Sequence, residues 1–329
     1  MMPAKKAVLV VRRGVRLRPA RCRGLYAIVV ASALMSCSTG AEPDKSFDVS
    51  VAQPAYADAH PRVLFDEAHN NYHKLAGRYQ PFATLMRNDG YIVDRASSSF
   101  TSKTFSDTNI LVIAGARGTN DRNDAPAFTD AESDIVREWV RGGGSLLLIT
   151  DHFPFGSAAQ SLGNRFGIAM SGGSVEDPLH HDVKSGDLSQ LVFTRGDSMI
   201  VDHPITLGRS TTEKINRVMT FMGQSLTGPK GSVGFLRLSA SAVDRAADVS
   251  VERDGGDTRV IVMPGLATPA VGRAQGLAIE YGRGRIVVLG EAAMLTAQRQ
   301  NDRDFGMQVP GTDNRQLALN IMHWLSRLI

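Results

Sequence analysis

The amino-acid sequence predicts an α/β protein whose sheet is doubly wound and mostly parallel, with partly antiparallel additions in the middle of the chain. Two observations carry this expectation. The runs "NILVIAGARG" (109–118) and "SLLLIT" (145–150) contain unbroken apolar strands, and a strand apolar at every position needs cover on both faces. Such strands alternate with amphipathic helical stretches, the order that builds strand–helix–strand units.

The elements follow in chain order. "RVLFDE" (62–67) is the first strand. In "QPFATLMRNDG" (80–90), Pro81 marks a helix start and Gly90 lies just past its end, with Phe82, Leu85 and Met86 on one face. "YIVD" is a short strand, and "NILVIAGARG" follows as an apolar one ending in a glycine turn. "TDAESDIVREWVRGGG" spaces Thr129 and Glu132 as a capping box, sets Ile135, Val136, Trp139 and Val140 in a stripe, and stops at Gly142. "SLLLIT" is the next strand and "SAAQSLGNRFG" the next helix.

From about 168 to 260 the pattern is less regular. The short strands "LVFT", "SMIVD", "VMTFM", "VGFLRL" and "TRVIVM" read as the antiparallel additions. "GLAIEYGRGRIVVLGEAAM" (276–294) is a hairpin whose second strand ends at Glu291. The closing "DNRQLALNIMHWLSRLI" places Leu317, Ile321, Leu325 and Leu328 on one helix face, which is expected to dock on the sheet.

The N-terminus is read separately. "MMPAKKAVLVVRRGVRLRPARCRG" carries eight Lys/Arg and no acid, and "LYAIVVASALM" after it is too short to span a bilayer. A basic region, a short apolar region and small residues at the exit read as a secretory signal. The exit "LMSC" resembles a lipoprotein box with Cys37 as the lipidated residue. The expected organisation is a signal peptide at 1–36, a flexible tether at 37–59 and a single domain at 60–329. A lipid anchor would tie the protein to a membrane of the bacterial cell envelope.

Removing the leader leaves 29 basic against 33 acidic residues, a net charge of −4. The pI of 9.2 therefore belongs to the leader, and nothing argues for nucleic acid as a partner. Cys22 lies in the leader and Cys37 is the lipidation candidate. The domain has no other cysteine, hence no disulfide, no thiolate metal ligand and no thiol nucleophile.

In an open parallel sheet, the loops at the carboxyl ends of the strands share one edge and build the site there. Three strand ends carry acids, in "FDEAHNNYH", "TDHFPFG" and "GEAAMLTAQ". They bring Asp151, His152 and Glu291 forward as catalytic candidates, and Asp66, His69 and Asp151 as a candidate metal set. Glu67, Asn70 and His73 are candidate binding residues, joined by His180 and His181 of "DPLHHDV". Such groups bind a divalent metal that activates water, or supply a carboxylate-oriented histidine base without any metal. The spacing selects neither, since His69 and His73 lack the glutamate of an HExxH motif. Duller roles stand beside these. Asp151 can cap the helix near Pro154, His152 can be a buried hydrogen-bonded ring, and Glu291 can accept backbone N–H groups. His203 is expected to organise a turn before Pro204, and His60 and His323 to be structural. Asp313 or Asn314 is the expected cap of the last helix.

The motifs "VLFDEAHNNYH", "GGGSLLLITDHFPFG", "DHPIT", "GRGRIVVLGEAAMLTAQ" and "DNRQLALNIMHWLS" span about residues 62 to 327. With them the chain resembles the class I glutamine amidotransferase-like superfamily, and within it a bacterial branch of secreted or lipid-anchored proteins. The resemblance implies a flavodoxin-like sheet. True amidotransferases place a cysteine nucleophile on a strand-to-helix elbow, where this chain has "ITDHFPFG". Without a thiol, and without a GxSxG elbow, it is not a glutaminase. What the resemblance leaves is a metal-assisted or His/carboxylate hydrolase acting on a small polar or sugar-containing substrate. The alternative is a non-catalytic envelope domain that binds a ligand, a glycan or a partner such as a transporter.

Overall fold

The computed structural model describes residues 7–11, 41–119, 125–153, 157–254 and 257–329. Cys37, almost all of the expected leader and Pro154 lie outside them. Five strands form the heart of the fold: β1 (Arg62–Asp66), β2 (Ile92–Ala96), β3 (Ile110–Ala114), β4 (Ser145–Ile149) and, late in the chain, a strand at Gly284–Leu289. They pair in parallel, in the spatial order β2-β1-β3-β4 followed by Gly284–Leu289.

Each strand's alternate residues enter opposite cores, as the pleat dictates. Val63, Phe65, Ile110, Val112, Leu147 and Ile149 join one cluster with Phe82, Leu85 and Met86 of helix α1 (Gln80–Asn88). Leu111, Ile113, Leu146 and Leu148 join another with Val136 and Val140 of helix α2 (Asp130–Arg141) and Leu162 of helix α3 (Gln160–Asn164). The expected capping box is present, with the Glu132 N–H donating to Thr129 Oγ1 and the Thr129 N–H donating to Glu132 Oε2.

The sheet continues past the parallel strands. The Gly284–Leu289 strand pairs antiparallel with Ala274–Tyr281, which in turn pairs with Leu226–Thr227 and Val233–Arg237, and Ala169–Met170 closes the edge. The result is a mixed nine-stranded sheet with few helices. Among the described residues, the expected mostly parallel sheet is thus parallel over five of its nine strands. "SMIVD" forms no strand of its own, contributing one bridge from Ile200 to Leu236. A long hairpin, Val243–Asp254 with Asp257–Pro269, stands beside the main sheet and also pairs with Ser174–Glu176 and Ala7–Val11.

The closing helix α4 (Asn314–Leu325) is buried along almost its whole length, while Leu328 lies beyond its end and is exposed. Its outer side is covered by the segment expected as a loose tether. Phe47, Val49, Val51 and Tyr56 pack against the core, Glu42–Pro43 pair with Gln298–Arg299, and Arg315 donates to the Asp48 and Ser50 carbonyls. Tyr56 Oη also donates to Ser326 Oγ at 2.7 Å. Burial of these four apolar side chains is what turns a tether into a strap.

Gly90 sits where the strap crosses the end of α1. Its φ is +97°, and a Cβ there would lie 2.0 Å from the Tyr56 carbonyl oxygen. Gly90→Ala therefore combines backbone strain of about 1–3 kcal/mol with displacement of the strap. Chemical denaturation should read that loss, together with new proteolytic cleavage between residues 41 and 59. An unchanged midpoint would show that the strap does not press on Gly90.

Candidate functional site

The strand order β2-β1-β3-β4 reverses direction between β1 and β3, because β2 lies to one side of β1 and everything later to the other. Open α/β sheets form their ligand crevice at such a switch point, outside the carboxyl ends of the strands. A cleft of about 610 Å³ lies there, lined by His69 and Asn70 after β1, Ser99 after β2, Arg117 after β3, and Phe128 and Glu132 at the start of α2.

His69 is the centre of the best-ordered polar group in the cleft. Its Nδ1 lies 2.8 Å from Asp66 Oδ1 and its Nε2 lies 3.0 Å from Glu132 Oε1. Both carboxylates accept, so both ring nitrogens must donate, and only the imidazolium has two N–H groups. Burial works against that charge, but the hydrogen bonds and charges of Asp66 and then Glu132 outweigh it, and the His69 pKa is raised. Glu132 also feels burial first. The hydrogen bonds from His69, from Thr129 and from the Phe100 N–H overcome it and hold its carboxyl at about 2. The ring is clamped between Phe100 and Phe128, with centroids 4.5 Å from each.

The remaining lone pairs are also used. Asp66 accepts from the Ala68 N–H and from Asn71 Nδ2, and Glu132 from the Thr129 hydroxyl at 2.7 Å. His69 therefore cannot act as a base or a metal ligand while this arrangement holds.

Asp151 and Glu291 form a second, separate group at the ends of β4 and of the Gly284–Leu289 strand. Asp151 accepts from the His152 N–H at 2.7 Å, and Glu291 accepts from the Ala293 and Met294 N–H groups at 2.6 and 2.8 Å. Both carboxyls titrate well above their usual range. Burial is the main cause for each, and the Asp151 charge adds to it for Glu291. Tyr79 lies beside them, its hydroxyl donating to the Ala292 carbonyl at 2.7 Å. Burial and then these two charges raise its pKa as well. His152 donates from Nδ1 to the Phe153 carbonyl, and burial lowers its pKa, so its 3.8 Å approach to Asp151 is not a charge pair.

The other sequence candidates divide as follows. Glu67 accepts from the Leu75 N–H, and Asn70 donates to the Gly118 carbonyl. His73 is buried against Tyr79 and, pushed down to about 3 by burial, stays neutral. His180 and His181 lie elsewhere, on the loop organised by buried Asp177. His203 caps the helical turn Pro204–Leu207. Asp313 does not cap α4 through its side chain but accepts from the Asn216 and Arg217 N–H groups.

The candidate metal set is not assembled. His69 is spent on Asp66 and Glu132, and Asp151 belongs to the other group. Among the described residues no cluster of three or more His, Cys, Asp or Glu side chains could hold a metal ion. Glu132, Phe128 and Arg117 are site residues that sequence reasoning did not select, although Glu132 was visible as half of a capping box.

Comparison with known proteins shows the fold alone. The chain is similar to the mmIFT52 N-terminal domain with a TM-score of 0.56 at 14% identity, over 80% of this chain and 97% of that one. A protein from Bacteroides uniformis described as ThuA-like aligns with a TM-score of 0.41 at 14% identity, over 84% of this chain and 93% of that one. A protein from Thermoplasma acidophilum described as part of a GMP synthase aligns with a TM-score of 0.41 at 12% identity, over 83% of this chain and 97% of that one. No family model matches the chain, and no curated protein matches it.

Proposed function

We propose that this chain is a cell-envelope ligand-binding domain built on an amidotransferase-like sheet, and that it holds a small polar molecule at the β1/β3 switch point without transforming it. One observation carries the reading. The acids and imidazoles that could perform hydrolysis at the strand ends already hydrogen-bond within the protein, while the cleft beside His69 stays open. A hydrolase needs a base or nucleophile within reach of its substrate, and neither His69 nor Asp151 offers one in this arrangement.

Thermal-shift and calorimetric titration with small sugars, sugar acids and amino acids tests the proposal. A binder should be recovered unchanged after long incubation. Ser99, exposed on the cleft wall, can be changed to Trp to fill the space. Ser99→Trp should abolish binding while leaving the unfolding midpoint within about 0.5 kcal/mol of the parent, as surface changes usually do. Conversion of any titrant into product, lost on Asp151→Asn, would return the hydrolase reading to first place.

A further inference from the structure

This inference rests on the ligand-binding reading of the cleft and names the chemistry of what enters it. The cleft's acids are already matched. Glu132 is balanced by His69, and Asp130 is paired with Arg165 at 2.6 Å. Arg117 is not. Among the described residues no carboxylate pairs with its guanidinium, although the domain as a whole carries more acids than bases.

Arg117 is nevertheless held in place. Its Nε donates to the Asn70 carbonyl at 3.2 Å, a second nitrogen reaches Asn70 Oδ1 at 3.4 Å, and its guanidinium lies 5.5 Å from the Tyr72 ring centroid. Asn70 has a φ of +50°, a left-handed conformation uncommon outside glycine. It is further tied by its own side chain to the Gly118 carbonyl. Strained backbone of this kind tends to persist where the surroundings over-determine it, and it gathers at ligand sites. Here the strain turns the Asn70 carbonyl toward Arg117. Arg78 stands on the same tyrosine, 5.0 Å from its centroid and donating to its hydroxyl at 2.6 Å, also without a carboxylate partner among the described residues.

A guanidinium that is oriented but pairs with no carboxylate among the described residues differs from a solvated surface arginine. Its ordering cost is met by the protein before a ligand arrives, and its planar donors match a carboxylate or a phosphate. We infer that the switch-point cleft selects a small polar ligand bearing an acidic group, a carboxylate or a phosphate, which Arg117 receives, with Arg78 adding charge from the same Tyr72 ring.

Calorimetric titration of the full chain with glucose, glucuronate and glucose 6-phosphate tests this. At least one acidic probe should bind about tenfold or more tightly than glucose, the usual return from a charge-assisted contact. Arg117→Ala should bring that probe down to the level of glucose, with Arg117→Lys recovering part of the difference. Asn70→Gly keeps the backbone conformation but removes the side-chain acceptor, and it should weaken the acidic probe alone. The inference is overturned if Arg117→Ala binds the acidic probes as the parent does, if glucose binds as well as they do, or if neither acid binds. The Ser99→Trp variant separates the two levels. Glucose binding lost in that variant, with no preference for acids, would leave the cleft reading standing and remove this one. Acid binding untouched by Ser99→Trp would remove both.

Discussion

Replacing His69 by alanine is expected to lower the unfolding free energy by about 3–5 kcal/mol near pH 6, the range for removing one partner of a buried charged group. The ring joins β1 to the start of α2 through two carboxylates that are themselves buried. Without it, Asp66 and Glu132 face each other's surroundings uncompensated, and Phe100 and Phe128 lose the ring packed between them.

The pH profile tests the mechanism independently of the size of the loss. His69 has a raised native pKa, so its contribution is fully present below the unfolded value of about 6.5 and is lost as pH rises through the native one. Glu132 is held at about 2 in the fold against an ordinary value of 4.5, so its contribution is present above 4.5 and is lost as pH falls toward 2. The parent's clamp is therefore strongest between those two limits. The His69→Ala protein should lose the part of the alkaline limb that His69 contributes, leaving the part that the buried Asp151–Glu291 pair supplies. A loss below ~1 kcal/mol, the scale of a solvent-exposed ion pair, with the alkaline limb intact, would mean that the imidazole is a bystander.

Much of this arrangement was legible in the chain, and the rest was hidden for identifiable reasons. The unbroken apolar runs of β3 and β4 required cover on both faces, and Val136 and Leu85 provide it from opposite sides. The capping box at Thr129 was readable because both partners lie three residues apart. The same local explanation concealed the larger role of Glu132, whose histidine partner is 63 residues away in sequence. Arg117 carried no motif; only the switch point gives it meaning.

The antiparallel half of the sheet was harder to read because its outer strands are two residues long, Ala169–Met170 and Leu226–Thr227, too short to display a period. The strap was concealed by its small, polar, proline-containing composition. Its alternating Phe47, Val49 and Val51 were nonetheless a strand-like signal of a buried face. The strand-end rule gathered Asp66, His69, Asp151 and Glu291 at one edge, but it carries no information on which face of the sheet each one joins. Face is what divides them: His69 packs with Phe100 and Phe128 of one core, whereas Asp151 and Glu291 lie beside Tyr79 of the other.

That buried pair gives the second large effect, and its sign is opposite to that of an ordinary catalytic mutation. Asp151 and Glu291 are both raised, by burial first and for Glu291 also by the Asp151 charge. A carboxyl with a raised native pKa contributes stability that is fully present below the unfolded value of about 4 and is lost as pH rises through the native value. Towards alkaline pH the parent must therefore either keep a proton between the two acids or hold two like charges away from water. Asp151→Asn removes that conflict. The amide oxygen can accept the His152 N–H, and the side chain no longer brings a charge near Glu291. The variant is expected to be more stable than the parent above neutral pH by about 1–4 kcal/mol, the range seen when buried ionic groups are replaced by neutral ones. The gain should shrink steadily as pH falls toward 4. Glu291→Gln should gain less, because three backbone N–H groups, of Ala293, Met294 and Phe221, favour its charged oxygens, against the two of His152 and Ala292 at Asp151. Urea denaturation of the three proteins from acid to alkaline pH reads both comparisons. A variant less stable than the parent at every pH would show that the two acids are held apart by bonds that need their charge, and the pair would no longer count as a strained one.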